Sequence, residues 1–131
     1  MLKLPTLGEM DRASGVRIFL CTSPTDMRRG FDRLAETVRS SLGHDPLDGS
    51  LFVFRSRGAD RLKILYWDKD GFCLWYKRLE EGTFRFPATP AGAAGGAAAG
   101  VEVRASELAM LLEGIDLKSL KRSPRLKTKN N

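Results

Sequence analysis

Residues 61–87 constrain this chain more than any other stretch. They read Arg61-Leu62-Lys63-Ile64-Leu65-Tyr66-Trp67, then Asp68-Lys69-Asp70-Gly71, then Phe72-Cys73-Leu74-Trp75-Tyr76-Lys77-Arg78-Leu79; Glu80-Glu81-Gly82 leads into Thr83-Phe84-Arg85-Phe86-Pro87. Short aromatic and branched runs separated by Asp-Gly and Glu-Gly are the pattern of strands joined by tight hairpins. Leu62, Ile64 and Tyr66 make one apolar face, and Phe72, Leu74 and Tyr76 make another. The two share a side if the first loop has an odd number of residues. Lys69-Asp70-Gly71 suits this, with Gly71 in the left-handed conformation. A Glu80-Glu81-Gly82 loop then brings Phe84 and Phe86 to the same side, which is the predicted core.

The opposite side of that register carries Lys63, Leu65, Trp67, Cys73, Trp75, Lys77 and Arg85. A buried face does not accept three unpaired cations, and a plain solvated face does not need two tryptophans. Cations interleaved with aromatics can hold phosphates and stack on bases, or form a protein-binding patch. The alternative is that helices cover the tryptophans while the charged tips reach water at the rim.

Residues 1–14 read as a flexible leader. Val16, Ile18 and Leu20 alternate in a first strand over residues 15–21. A helix is predicted next, with Ser23 as N-cap, Pro24 at the first helical position and Asp26 three residues after the cap. Its apolar stripe is Met27, Phe31, Leu34, Ala35, Val38 and Leu42, and Gly43 closes it. Gly30 inside it costs about 1 kcal/mol relative to Ala, which suggests close packing there. Arg28 and Arg29 lie off the stripe in the first turn, where they oppose the helix dipole; a partner anion or simple solvation would account for them. A strand follows at residues 51–55. Residues 88–100 are an Ala/Gly-rich flexible loop, residues 101–104 a short edge strand, and Ser106 caps a second helix with Leu108, Leu111, Leu112 and Ile115 as its stripe. The fold class is α+β: a mostly antiparallel β-meander sheet with two packed helices, forming a single domain over residues 15–116.

Charge placement says more than the net value of +6. Residues 117–131 hold Lys118, Lys121, Arg122, Arg125, Lys127 and Lys129 and no acid, leaving 16 of the 22 cations against all 16 acids in the remainder. This basic tail is predicted to be disordered and suited to sequence-independent attraction to nucleic acid, or to serve solubility alone. No apolar run of signal-peptide or membrane-span length occurs, so the expected location is the cytoplasm. Cys21 and Cys73 fall inside predicted strands as free thiols.

Catalytic patterns are sparse. Asp68 and Asp70 are explained as turn formers, Asp45 and Asp48 flank Pro46 in another turn, and Asp26 and Asp32 do not share a helix face. A single histidine, His44, cannot build a two-histidine metal site. No phosphate loop of P-loop or dinucleotide type is present. The expectation is a protein without enzymatic activity, cofactor or metal.

Three segments together carry a family resemblance. They are Pro24-Thr25-Asp26-Met27-Arg28-Arg29-Gly30-Phe31-Asp32; the strand run at residues 51–55 continued through residues 60–68 and 71–80; and Leu108-Ala109-Met110-Leu111-Leu112-Glu113-Gly114-Ile115-Asp116. The chain resembles the TnpB-type accessory protein, product of the second reading frame, in family sixty-six of bacterial insertion sequences. The resemblance covers residues 15–116, and the long Ala/Gly insert departs from it. It implies an accessory protein required, beside a separate DDE-type transposase, for movement of the element, with no assigned catalytic residues. The candidate contacts to DNA (the element's ends) or to the transposase are Arg28, Arg29, Lys63, Trp67, Trp75, Lys77, Arg78, Arg85, Lys118, Lys121, Arg122 and Arg125. A pure protein adaptor and a small metal-dependent nuclease are the alternatives, and self-association stays open.

Overall fold

The computed structural model describes residues 16–87 and 100–113, together with the backbone of residues 115–116 and 121–122. Five strands form one sheet: β1 (Ile18–Cys21), β2 (Leu51–Arg55), β3 (Arg61–Asp68), β4 (Gly71–Arg78) and β5 (Gly100–Val103). Their order across the sheet is β4-β3-β2-β1-β5. Among the described residues only the β1–β2 pair is parallel, and β2, β3 and β4 form the expected meander. β5 lies at the edge, as its brevity suggested. Helix α1 (Phe31–Thr37) continues as a π-turn over Val38–Leu42 and links the parallel pair; α2 (Ala105–Glu113) follows β5.

Both faces of the sheet are covered, because alternate residues of every central strand are apolar. One face presents Ile18, Leu20, Leu51, Val53, Leu62 and Ile64 to Leu108 and Leu111 of α2 and to Leu79 and Phe84. The other presents Phe19, Cys21, Phe52, Phe54 and Leu65 to Leu34, Ala35, Val38 and Leu42 of the α1 segment. A sheet sandwiched in this way buries its middle strands on both sides, which explains why β2 reads as an unbroken apolar run rather than an alternating one.

Four expectations are corrected. The β3–β4 loop has two residues, Lys69 and Asp70, with Asp68 paired to Gly71. Lys69 takes the positive φ of 55°, so Gly71 is an ordinary strand residue. The one-residue difference turns every β4 side chain over. Ile64 now sits opposite Trp75, and Leu65 opposite Leu74. Secondly, residues 83–87 are not a strand. Phe84 nevertheless reaches the core, its N–H donating to the Ala59 carbonyl while Arg55 Nη1 donates to its own carbonyl.

Thirdly, α1 begins after Gly30 rather than after Ser23, and residues 24–30 form a loop. A Cβ at Gly30 would meet open space, so close packing is not its reason. The Gly43 stop stands, at φ 69°. Lastly, α2 is entered at Arg104, whose N–H donates to Glu107 Oε1 while its carbonyl accepts from the Glu107 and Leu108 amides. Half a capping box therefore replaces the Ser106 cap. Ile115 has left the helix for a two-residue strand, β6 (Ile115–Asp116), paired with β7 (Lys121–Arg122). The leader, most of the Ala/Gly loop and the rest of the tail lie outside the described residues.

Candidate functional site

The register correction dissolves the predicted aromatic–basic face. Trp67 lies on the α1 side of the sheet, edge-on to Phe72 with ring centroids 5.1 Å apart. Trp75 lies on the α2 side against the core there. Lys77 shares that side, half-buried beside Leu62 in the ladder. Arg78 is exposed and pairs with Glu80 at 3.3 Å. Arg85 is exposed in the segment after the meander. Lys121 and Arg122 contribute backbone to β7, while Lys118 and Arg125 lie outside the described residues.

What the structure does bring together is Lys63 with the loop that carries Arg28 and Arg29. Lys63 was expected on an open face, yet it is only 7% exposed. Its ammonium donates to the Met27 carbonyl at 2.7 Å and the Arg29 carbonyl at 2.8 Å, and lies 4.8 Å from the Tyr76 ring centroid. Burial pushes its pKa down, and the Asp26 carboxylate partly offsets this. The ammonium thus ties the loop to the centre of the sheet. The Thr25 N–H, donating to the Arg55 carbonyl, ties the same loop to the end of β2.

The two arginines point to different jobs. Arg28 is 91% exposed and grips Asp26, Nη2 donating to Oδ2 at 2.8 Å and Nε to Oδ1 at 3.1 Å, with its own amide donating to Oδ1. This pairing holds the Asp26 carboxyl well below the usual carboxylate range. Arg29 turns back onto α1, Nη1 donating to Thr37 Oγ1 at 2.9 Å, while its Nε is buried without a protein partner. Beside it opens a cavity of about 380 Å³, lined by Cys21 at the end of β1, by Ser23, Pro24, Thr25 and Asp26 from the loop and by Thr37, Ser40 and Ser41 from the helical segment. Burial pushes the Cys21 thiol up, so it stays protonated.

Sequence reasoning found the arginines but missed the hydroxyls around them. A signal was present: Thr37, Ser40 and Ser41 recur at i, i+3 and i+4, an uncharged hydroxyl stripe on a helix whose other polar positions are charged. Elsewhere, Asp45 and Asp48 accept the Leu47 and Ser50 amides as turn formers, and His44 lies against Phe19 at a centroid distance of 4.0 Å. Among the described residues no group of three or more His, Cys, Asp or Glu is placed to hold a metal ion. Nor is any helix among them long and apolar enough to cross a membrane.

Fold and site together define a small α+β domain with a cationic loop at the carboxyl ends of its parallel strand pair. A family model described as IS66 Orf2 like protein matches residues 16–122. This chain belongs to that family, and is an insertion-sequence-associated protein. Two relatives from Sinorhizobium fredii (strain NBRC 101917 / NGR234) are similar along most of their length. The uncharacterized protein y4jC is 40% identical over 110 residues, 84% of this chain and 88% of the relative. The uncharacterized protein y4hO is 46% identical over 101 residues, 77% of this chain and 82% of the relative. No solved structure matches the chain.

Proposed function

We propose that this chain is a non-catalytic accessory protein of DNA transposition, acting with a separate DDE-type transposase by contacting DNA. Family membership supports the link to an insertion sequence. The DNA contact rests on one geometric observation: Arg28 and Arg29 stand on a loop that Lys63 holds in place, so three cations gather around one carboxylate, Asp26. Fixed cations on a preorganised loop lose little freedom when a phosphate arrives, and each phosphate neutralised adds a salt-dependent increment to binding. The basic residues 117–131 add sequence-independent attraction in the same reading.

A second reading, a protein adaptor for the transposase, draws on a different observation. Phe31 and Tyr76 are large apolar side chains left about half exposed, at 48% and 50%. Exposed aromatics of this kind are enriched in protein interfaces. A salt titration of the full chain on a terminal-repeat duplex and on an unrelated duplex separates the two. The DNA reading expects tight binding with a steep salt slope and a preference for the terminal repeat. Absence of duplex binding, combined with co-purification with the transposase that Tyr76→Ala abolishes, would establish the adaptor instead.

A further inference from the structure

We propose that the cavity between the 23–29 loop and the α1 segment is an oxyanion site that seats a phosphate group against Arg29, the phosphate belonging to a nucleic-acid backbone. The site stands on its own geometry; only the source of the phosphate rests on the DNA-contacting reading above.

Three observations converge. The first is the orphan donor. Arg29 Nε is buried with no protein acceptor, although nearly every buried N–H in a folded protein has one. A guanidinium whose fork is partly unused is the group best matched to a phosphate, since two parallel N–H donors meet two oxygens. The second is the lining. Ser23 and Ser41 line the same cavity as Arg29 and bring hydroxyl-bearing side chains to it, and the cavity of about 380 Å³ is far larger than one phosphate needs, leaving space for the sugars on either side. Thr37 serves a different purpose. Its hydroxyl accepts from Arg29 and donates to the Arg33 carbonyl, fixing the guanidinium before any ligand arrives.

The third is position. The cavity opens where β1 ends at Cys21, and its loop is bonded to the end of β2, so it lies outside the carboxyl ends of the parallel pair. Sheets with parallel strands place ligands there, because the chain turns away from the sheet and leaves a crevice. Asp26 also lines the cavity and would repel an anion. Both of its oxygens are, however, engaged by Arg28, and the Lys63 ammonium reinforces the positive side from beneath the loop.

The test follows the Arg29 Nε–H resonance of the full chain by NMR. Inorganic phosphate is expected to shift it, while chloride at matched ionic strength leaves it in place. Ser41→Glu, at an exposed position, puts a carboxylate at the mouth and is expected to abolish the response without changing the melting temperature. Arg29→Lys keeps the charge but loses the fork, and is expected to weaken duplex binding several-fold while leaving the salt slope nearly unchanged, because the phosphate charge is still neutralised. A resonance that ignores phosphate, or that chloride moves equally, overturns the site. A phosphate response with no duplex binding by the intact chain keeps the site, makes free phosphate its occupant and removes the DNA reading. Duplex binding that Arg29→Lys leaves unchanged overturns the backbone assignment while the DNA reading stands.

Discussion

The two faces of the sheet are closed by different physics. On the α2 side the contacts among Leu62, Ile64, Phe84, Leu108 and Leu111 are entirely apolar, and burial alone holds the layers together. On the α1 side a comparable apolar cluster exists, but its margin is a lysine. Lys63 lies buried on this face and binds the loop through two carbonyl hydrogen bonds. Apolar contact is non-directional and tolerates repacking. An ammonium on two carbonyls fixes a loop in one place, and that is what a surface presenting arginines requires. One face is built for stability, the other for placement.

That contrast can be broken in graded steps. Phe84→Ala on the apolar side removes a fully buried ring and should cost about 3–5 kcal/mol, read from the midpoint of urea denaturation. A loss under about 1 kcal/mol would mean that residues 83–87 only rest on the sheet. Lys63→Met should cost less, about 1–3 kcal/mol, because it strands two carbonyls while keeping an apolar side chain. Its signature is local: faster amide hydrogen exchange in residues 25–30 with little change in β2. Thr37→Val removes the Arg29 anchor at near-constant volume and should cost about 1 kcal/mol, while broadening the Arg29 side-chain signals.

Arg28→Ala should have the smallest effect on folding, since its ion pair is exposed and such pairs add little. Its expected consequence is a pH shift. Asp26 is depressed in the native chain, so whatever stability it lends is present above the ordinary carboxylate pKa and lost as pH falls through the lower folded value. Without the Arg28 guanidinium, an NMR titration should find Asp26 moved up toward the ordinary range but still below it, because the amide of residue 28 still donates to Oδ1 and Arg29 stays close. An unmoved titration would show that something other than Arg28 holds it down.

Much of the architecture was legible because it depends on periodicity. β2 was placed residue for residue, and the Gly43 stop and β5 edge strand followed from composition and turn chemistry. The candidate site was legible only in its arginines. Two physical facts hid the rest. A hairpin loop of two residues or three differs by which residue takes the positive φ, and Lys69 took it although Gly71 was the better sterically suited choice. That single step separated Trp67 from Trp75. Lys63 misled for another reason: its partners are main-chain carbonyls of Met27 and Arg29, and nothing in a side-chain sequence announces a carbonyl.

The most direct measurement compares the salt dependence of duplex binding for the full chain with that of the Arg28→Ala/Arg29→Gln double variant and of Trp75→Ala. The basic tail is present in all three, so its contribution cancels. The double variant is expected to lower the slope of log affinity against log salt by about two phosphates, with Trp75→Ala unchanged. A double variant with an unaltered slope beside a Trp75→Ala that no longer binds would contradict the arginine loop as the DNA contact and return the role to the hairpin.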